Sequence, residues 1–224
     1  MNSQLTTHRI QFSSHIIIRT MGSSKAKHLF LFISNAAIHI AWVRVLLTFV
    51  SQPVFSEEDN CNSLVHPQTI TALTVSGIEL LNSLLGLTKS KPHQVLLFSS
   101  VRTGVEMLLA PLLPCNSPQH LITVGCWALD GLFRFGCFGL DELLSLCGYA
   151  PSPSIKSVRY TVGPLLFPFG AAGEMFMVLR AAKDGRPALY FAAMLWPAFF
   201  YPLMKQLLKQ RSKHFKKLKE AKIE

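Results

Sequence analysis

The apolar positions of this chain are gathered into long runs separated by short polar breaks. Runs long enough to cross a bilayer, which takes about 20 helical residues, lie at about 29 to 51, 69 to 88, 94 to 114, 119 to 139, 160 to 182 and 187 to 207. The breaks between them fit loops. Ser56 to Cys61 is acidic and polar, Lys89 to Pro92 is basic and cannot continue a helix, Pro114 to Pro118 is a turn, and Gly148 to Pro153 is rich in Gly, Pro and Ser. The pattern predicts an all-α, multi-pass membrane bundle of about six transmembrane helices, with 29–207 as one membrane domain. No internal repeat divides it.

Composition agrees. Half of the 224 residues are hydrophobic and only 15% are charged, too little polar surface for an ordinary soluble domain of this size. The formal charge of +10 suggests nucleic acid at first, but from Lys205 to the end there are eight Lys or Arg against two Glu, so +6 of it sits in the last stretch. Residues 208–224 therefore read as a basic tail, of the kind that faces the cytosol and anionic headgroups. With no other basic and aromatic surface, nucleic acid is set aside as a partner.

Side by side, the amino end, the Lys89/Lys91 loop, the Lys156/Arg159 loop and the tail fall together, opposite Glu57, Glu58 and Asp59. That places both termini in the cytosol; Lys183 and Arg186 run against the rule. Residues 1–28, with no acidic residue, read as a basic, disordered cytosolic extension rather than a transit peptide. The five cysteines show no CxxC pair and no ligand spacing, so no metal or redox cofactor is expected. Cys61 and Cys115 share the non-cytosolic side, the setting in which a disulfide can persist.

Within the spans lie Arg44, Glu79, Arg102, Glu106, Asp130, Arg134 and Glu174. Each costs about 2.5 to 3.5 kcal/mol near a helix centre, so together they must face inward. Arg102 with Glu106, and Asp130 with Arg134, stand four apart and can pair along one helix face. Glu79 and Glu174 have no such local partner. Apolar surroundings disfavour the charged form of a carboxyl, the condition for proton transfer near neutral pH. Glu174 is the stronger candidate because Pro164, Pro168, Gly170 and Gly173 are expected to break the helix ahead of it, and irregular backbone at membrane depth is tolerated where it lines a cavity.

The stretch Arg159-Tyr160-Thr161, then Phe167-Pro168-Phe169-Gly170 and Gly173-Glu174, resembles the signature of the 3-hydroxyacyl-CoA dehydratases, also called protein-tyrosine-phosphatase-like, in which Arg-Tyr leads into Tyr-Pro-x-Gly-x-x-x-Glu. Ile78 to Leu87, Gln94 with Ser99, Ser100 and Arg102, and Trp127 with Arg134 are similar to other segments of that family in the same order.

The resemblance implies an endoplasmic reticulum membrane enzyme of fatty acid elongation. It would remove water from a very-long-chain (3R)-3-hydroxyacyl-CoA to give the trans-2-enoyl-CoA, without a cofactor and beside the other elongation-cycle enzymes. It also implies roles. Glu174 matches the family's catalytic Glu, and Phe167 falls where the family has its catalytic Tyr, with Tyr160, Arg102, Arg134, Glu79 and Asp130 as candidates to line the substrate cavity. Phe167 has no proton to give, and the family's pattern is also lost at Phe135, Phe138, Gly131 and Asn82; Asp130 stands one position from the missing Glu. Two readings stay open, a Glu174-led dehydratase and a non-catalytic acyl-binding or scaffold relative. Phosphatase chemistry is excluded, since no cysteine here is followed six positions on by an arginine.

Overall fold

A computed structural model describes residues 24–51, 62–113, 117–184 and 186–220. The acidic loop at Glu57 to Asp59, both Cys61 and Cys115, and residues 1–23 lie outside the described residues.

The described residues form helices and no strands. In chain order these are α1 (Ser24–Ser51), α2 (Asn62–Leu84), α3 (Pro92–Gly104), α4 (Pro118–Leu146), α5 (Pro153–Lys183) and α6 (Ala188–Glu220). The end of α3 runs on through a π-helical turn, Val105–Leu109, and a 3-10 turn, Ala110–Leu112. The protein is an all-α membrane bundle. Four stretches are long and apolar enough to cross a bilayer by themselves: Lys25–Ser51, Pro92–Leu112, Pro118–Leu146 and Pro153–Lys183. The Thr, Ser and His of α2, and the prolines and basic second half of α6, make those two helices more polar, yet both pack into the same bundle. Helix α6 stays regular to Glu220, so the basic segment continues the last helix.

Helix α1 shows why the sequence chooses lipid. Leu31, Ile38, Trp42 and Val45 are buried on one face, while Ile33, Ile40 and Leu47 are exposed on the other. Each set recurs at helical spacing, and a helix apolar on both faces is stable only with protein on one side and hydrocarbon on the other.

Helix α4 lies between α1 and α5, and two glycines set how closely they approach. A Cβ at Gly131 would run into the Trp42 ring of α1, and one at Gly173 would run into the Thr123 hydroxyl of α4. Small residues at such crossings let membrane helices pack through backbone and side chain together. The Trp42 indole N–H also donates to Ser76 Oγ on α2 at 3.1 Å, joining α1, α2 and α4.

One sequence expectation is corrected. Pro164 and Pro168 do not break the helix ahead of Glu174, for α5 is continuous across both. Each proline removes one backbone donor, and in a packed membrane helix small local adjustments absorb the loss. The irregular backbone is instead at Val105–Leu112, beside α5.

Candidate active site

A cavity of about 230 Å³ opens between α3, α4, α5 and α6. Its walls are mostly apolar, from Leu97, Phe98 and Val101 on α3, Leu166 and Phe167 on α5, and Leu195, Trp196, Phe200 and Leu203 on α6. Its polar lining consists of Arg102, Asp130 and Glu174, with the Trp127 indole and the Cys126 thiol.

Glu174 is 8% exposed, and its Oε1 accepts a hydrogen bond from Trp127 Nε1 at 2.7 Å. The same indole ring faces the Arg102 guanidinium, 5.6 Å from the ring centroid. Arg102 Nη2 in turn donates to Asp130 Oδ2 at 3.0 Å. Two carboxyl groups from different helices thus converge around one guanidinium and one indole. In a low-dielectric setting such charges act strongly on one another and on anything placed between them.

Phe167 stands seven residues before Glu174, two turns along the same helix face, and so borders the same cavity. Its ring stacks on Phe200, with centroids 5.1 Å apart and planes 3° from parallel, and meets Phe98 edge to face at 5.9 Å. No serine, threonine or tyrosine lines the cavity among the described residues.

The intrahelical pairs expected from i,i+4 spacing are replaced by pairs between helices. Arg102 bonds Asp130 rather than Glu106, because the π-helical turn that starts after Gly104 carries Glu106 away towards α2 and the start of α4. Glu106 is fully buried there, with His66 Nδ1 2.9 Å from Oε1 and His120 Nε2 3.3 Å from Oε2. Arg134 pairs with Glu79 of α2 rather than with Asp130, so Glu79 is not the partnerless carboxyl its sequence neighbours suggested. Cross-helix pairing sets Arg102 against Asp130 and Arg134 against Glu79, whereas local pairing would leave Glu79 without a cation; Glu174 keeps the neutral Trp127 indole as its hydrogen-bond partner.

Of the sequence-derived candidates, Glu174, Phe167, Arg102 and Asp130 come together at one cavity, while Tyr160, Arg134 and Glu79 are not among its lining residues. Tyr160 packs its ring on His214 of α6, centroids 4.9 Å apart, with the Arg159 guanidinium 4.8 Å from its own centroid. His214 also meets Ser157 Oγ at 3.0 Å, and burial there, helped by the charges of Arg159 and Lys156, holds its imidazole below the ordinary histidine pKa. The α6 wall went unnoticed in the sequence, since Trp196, Phe200 and Leu203 carry no chemistry that spacing could flag. The histidines around Glu106 were missed because they lie 40 and 14 residues from it. Among the described residues no group of three His, Cys, Asp or Glu is arranged to hold a metal.

Fold and site define a membrane-embedded helical protein whose apolar cavity carries a carboxyl pair. The profile of the protein tyrosine phosphatase-like proteins, PTPLA, matches residues 73–217, and the chain belongs to that family. It is 24% identical over 220 residues to the very-long-chain (3R)-3-hydroxyacyl-CoA dehydratase PASTICCINO 2A of Oryza sativa subsp. japonica, an alignment covering 88% of this chain and 98% of the relative. The dehydratase PASTICCINO 2B of the same plant is 26% identical over 160 residues, 70% of this chain and 71% of the relative. PASTICCINO 2 of Arabidopsis thaliana is 24% identical over the same shares. No solved structure matches the chain.

Proposed function

We propose that this protein is a membrane hydro-lyase that removes water from a very-long-chain (3R)-3-hydroxyacyl-CoA, giving the trans-2-enoyl-CoA of fatty acid elongation. The observation that carries the reading is the position of Glu174. The carboxyl matching the family's catalytic Glu lies at the polar part of a cavity whose other walls are hydrocarbon. A substrate with a long acyl chain and a reacting centre at carbons 2 and 3 needs that combination. Dehydration breaks a C–H bond at carbon 2 and a C–O bond at carbon 3, so it needs a group to take a proton and a group to give one.

The setting follows from the same reading. The enzyme works in the endoplasmic reticulum membrane, both termini in the cytosol, beside the other enzymes of the elongation cycle. The basic residues of α6 and the start of α5 offer cations to the CoA phosphates. Glycosylation acceptors placed near Asp59 or Asn116 are then modified in a reticulum system, and modification of a tag after Glu224 would contradict this orientation.

Phe167 supports a second reading, an acyl-binding relative without turnover, because its ring is clamped between Phe98 and Phe200 and brings no hydroxyl to the cavity. The purified chain in lipid discs, given a long-chain (3R)-3-hydroxyacyl-CoA, separates the two. Formation of the conjugated enoyl thioester supports the enzyme, and saturable binding without product supports the relative.

A further inference from the structure

We infer that Asp130 supplies the second proton-transfer group of this site, in the place left open by Phe167. The inference rests on the dehydratase reading above.

The cavity has a fixed set of polar side chains: Arg102, Cys126, Trp127, Asp130 and Glu174. An arginine and an indole donate hydrogen bonds but do not exchange protons near neutral pH, and a thiol is only a weak donor. That leaves two carboxyl groups for a reaction that moves two protons. They come from different helices, Asp130 from α4 and Glu174 from α5. Arg102 and Trp127 tie them into one continuous set of contacts, from Asp130 Oδ2 through the guanidinium and indole to Glu174 Oε1.

The two carboxyls are not equivalent. Asp130 is the charged partner of Arg102 and takes the proton from carbon 2; that C–H pair forms the double bond to carbon 3 as the C3–O bond breaks. Glu174, held by the Trp127 N–H, gives its proton to the departing hydroxyl, which leaves as water. A proton passed from Asp130 to Glu174 by way of that water restores the starting state, so the cycle needs no further reagent. Arg102 keeps a positive charge beside whichever carboxyl is ionised.

Three full-length proteins in lipid discs test this: the unmodified chain, Asp130→Asn, and Asp130→Asn with Phe167→Tyr. One lost proton-transfer group is worth about 10²- to 10⁴-fold. Asp130→Asn is expected to lower kcat by that factor with KM within about threefold. Phe167→Tyr in the same chain is then expected to recover at least about tenfold of the loss, since a phenol can give the proton to the departing hydroxyl while an ionised Glu174 takes the one from carbon 2. With a purely structural Asp130 the gain from Phe167→Tyr is no larger in Asp130→Asn than in the unmodified chain. If Asp130→Asn fails to fold without its charge, Asp130→Glu keeps the pair with Arg102 and moves the carboxyl by one methylene, and kcat is expected to fall at least about fivefold at constant KM. Turnover of Asp130→Asn within threefold of the unmodified chain, or of Asp130→Glu at full rate, overturns the role of Asp130 and leaves the dehydratase reading standing. An unmodified chain that binds the substrate and never turns it over overturns both.

Discussion

Two clusters in this bundle are each built around a buried glutamate and differ in what surrounds it. At one, Glu106 is completely enclosed and each of its oxygens meets a histidine, His66 or His120. At the other, Glu174 has one hydrogen-bond donor among the described residues, Trp127, and shares a cavity of about 230 Å³ with Arg102 and Asp130. Both oxygens of the first carboxyl are engaged by the protein. The second keeps acceptor capacity for something that enters. Inside a membrane both would be counted as costly charges, so charge alone does not mark a site; unfilled space beside an incompletely bonded group does.

Substitutions at the two clusters should therefore separate activity from stability. Among substitutions that leave both cavity carboxyls in place, the largest effect is expected from Arg102→Gln, which takes away the only guanidinium lining the cavity among the described residues. Charge stabilisation at a reacting centre is worth about 10² to 10³ in rate, and steady-state turnover of the hydroxyacyl-CoA would read it. At the sealed cluster, Glu106→Gln is expected to lower unfolding stability by about 1 to 3 kcal/mol, because the amide has one acceptor oxygen where the carboxylate has two, and one histidine must change tautomer or lose its partner. Turnover per folded molecule should stay within about threefold, as Glu106 is not exposed to the cavity. A melting curve and an activity assay on the same sample decide it.

Gly173→Ala probes the wall between the clusters. Its new methyl would meet the Thr123 hydroxyl, which already donates to the Gln119 carbonyl at 2.7 Å. Separating α4 from α5 should cost about 1 to 3 kcal/mol, and Thr123→Ala in the same chain should return part of that loss in the melting temperature. The smallest effect is expected from Phe167→Tyr alone. With a carboxyl pair already in the cavity, an added phenol should raise turnover by no more than about tenfold, and a drop in turnover would show that the Phe98, Phe167 and Phe200 packing matters more than the hydroxyl.

Much of the bundle was legible because lipid imposes a coarse rule: run length and polar breaks located all six helices, with α1 beginning at Ser24 and α2 at Asn62, ahead of the first apolar positions counted. Glu174 was legible as well, from its isolation among apolar residues and from the motif around it. Its supposed cause was not. Prolines suggested a broken α5, whereas the disturbed backbone runs over Val105–Leu112, where Gly104 directly precedes the π-helical turn and Pro111 sits in the 3-10 turn that follows. The pairing of Arg102, Asp130, Arg134, Glu79 and Glu106 was equally hidden. Spacing reports which charges can meet on one helix, and the pairs these five residues make run between helices, fixed by rotations that a one-dimensional pattern does not contain.

The most direct test of the distinction between the clusters is turnover of a long-chain (3R)-3-hydroxyacyl-CoA by Glu174→Gln, measured beside equilibrium binding of the same substrate. An amide at this position keeps an oxygen to accept the Trp127 N–H while losing the exchangeable proton. Enoyl-CoA formation is expected to fall by about 10²- to 10⁴-fold, with binding and melting temperature close to those of the unmodified chain. Product formation by Glu174→Gln at the unmodified rate would contradict that expectation and place the chemistry elsewhere in the bundle.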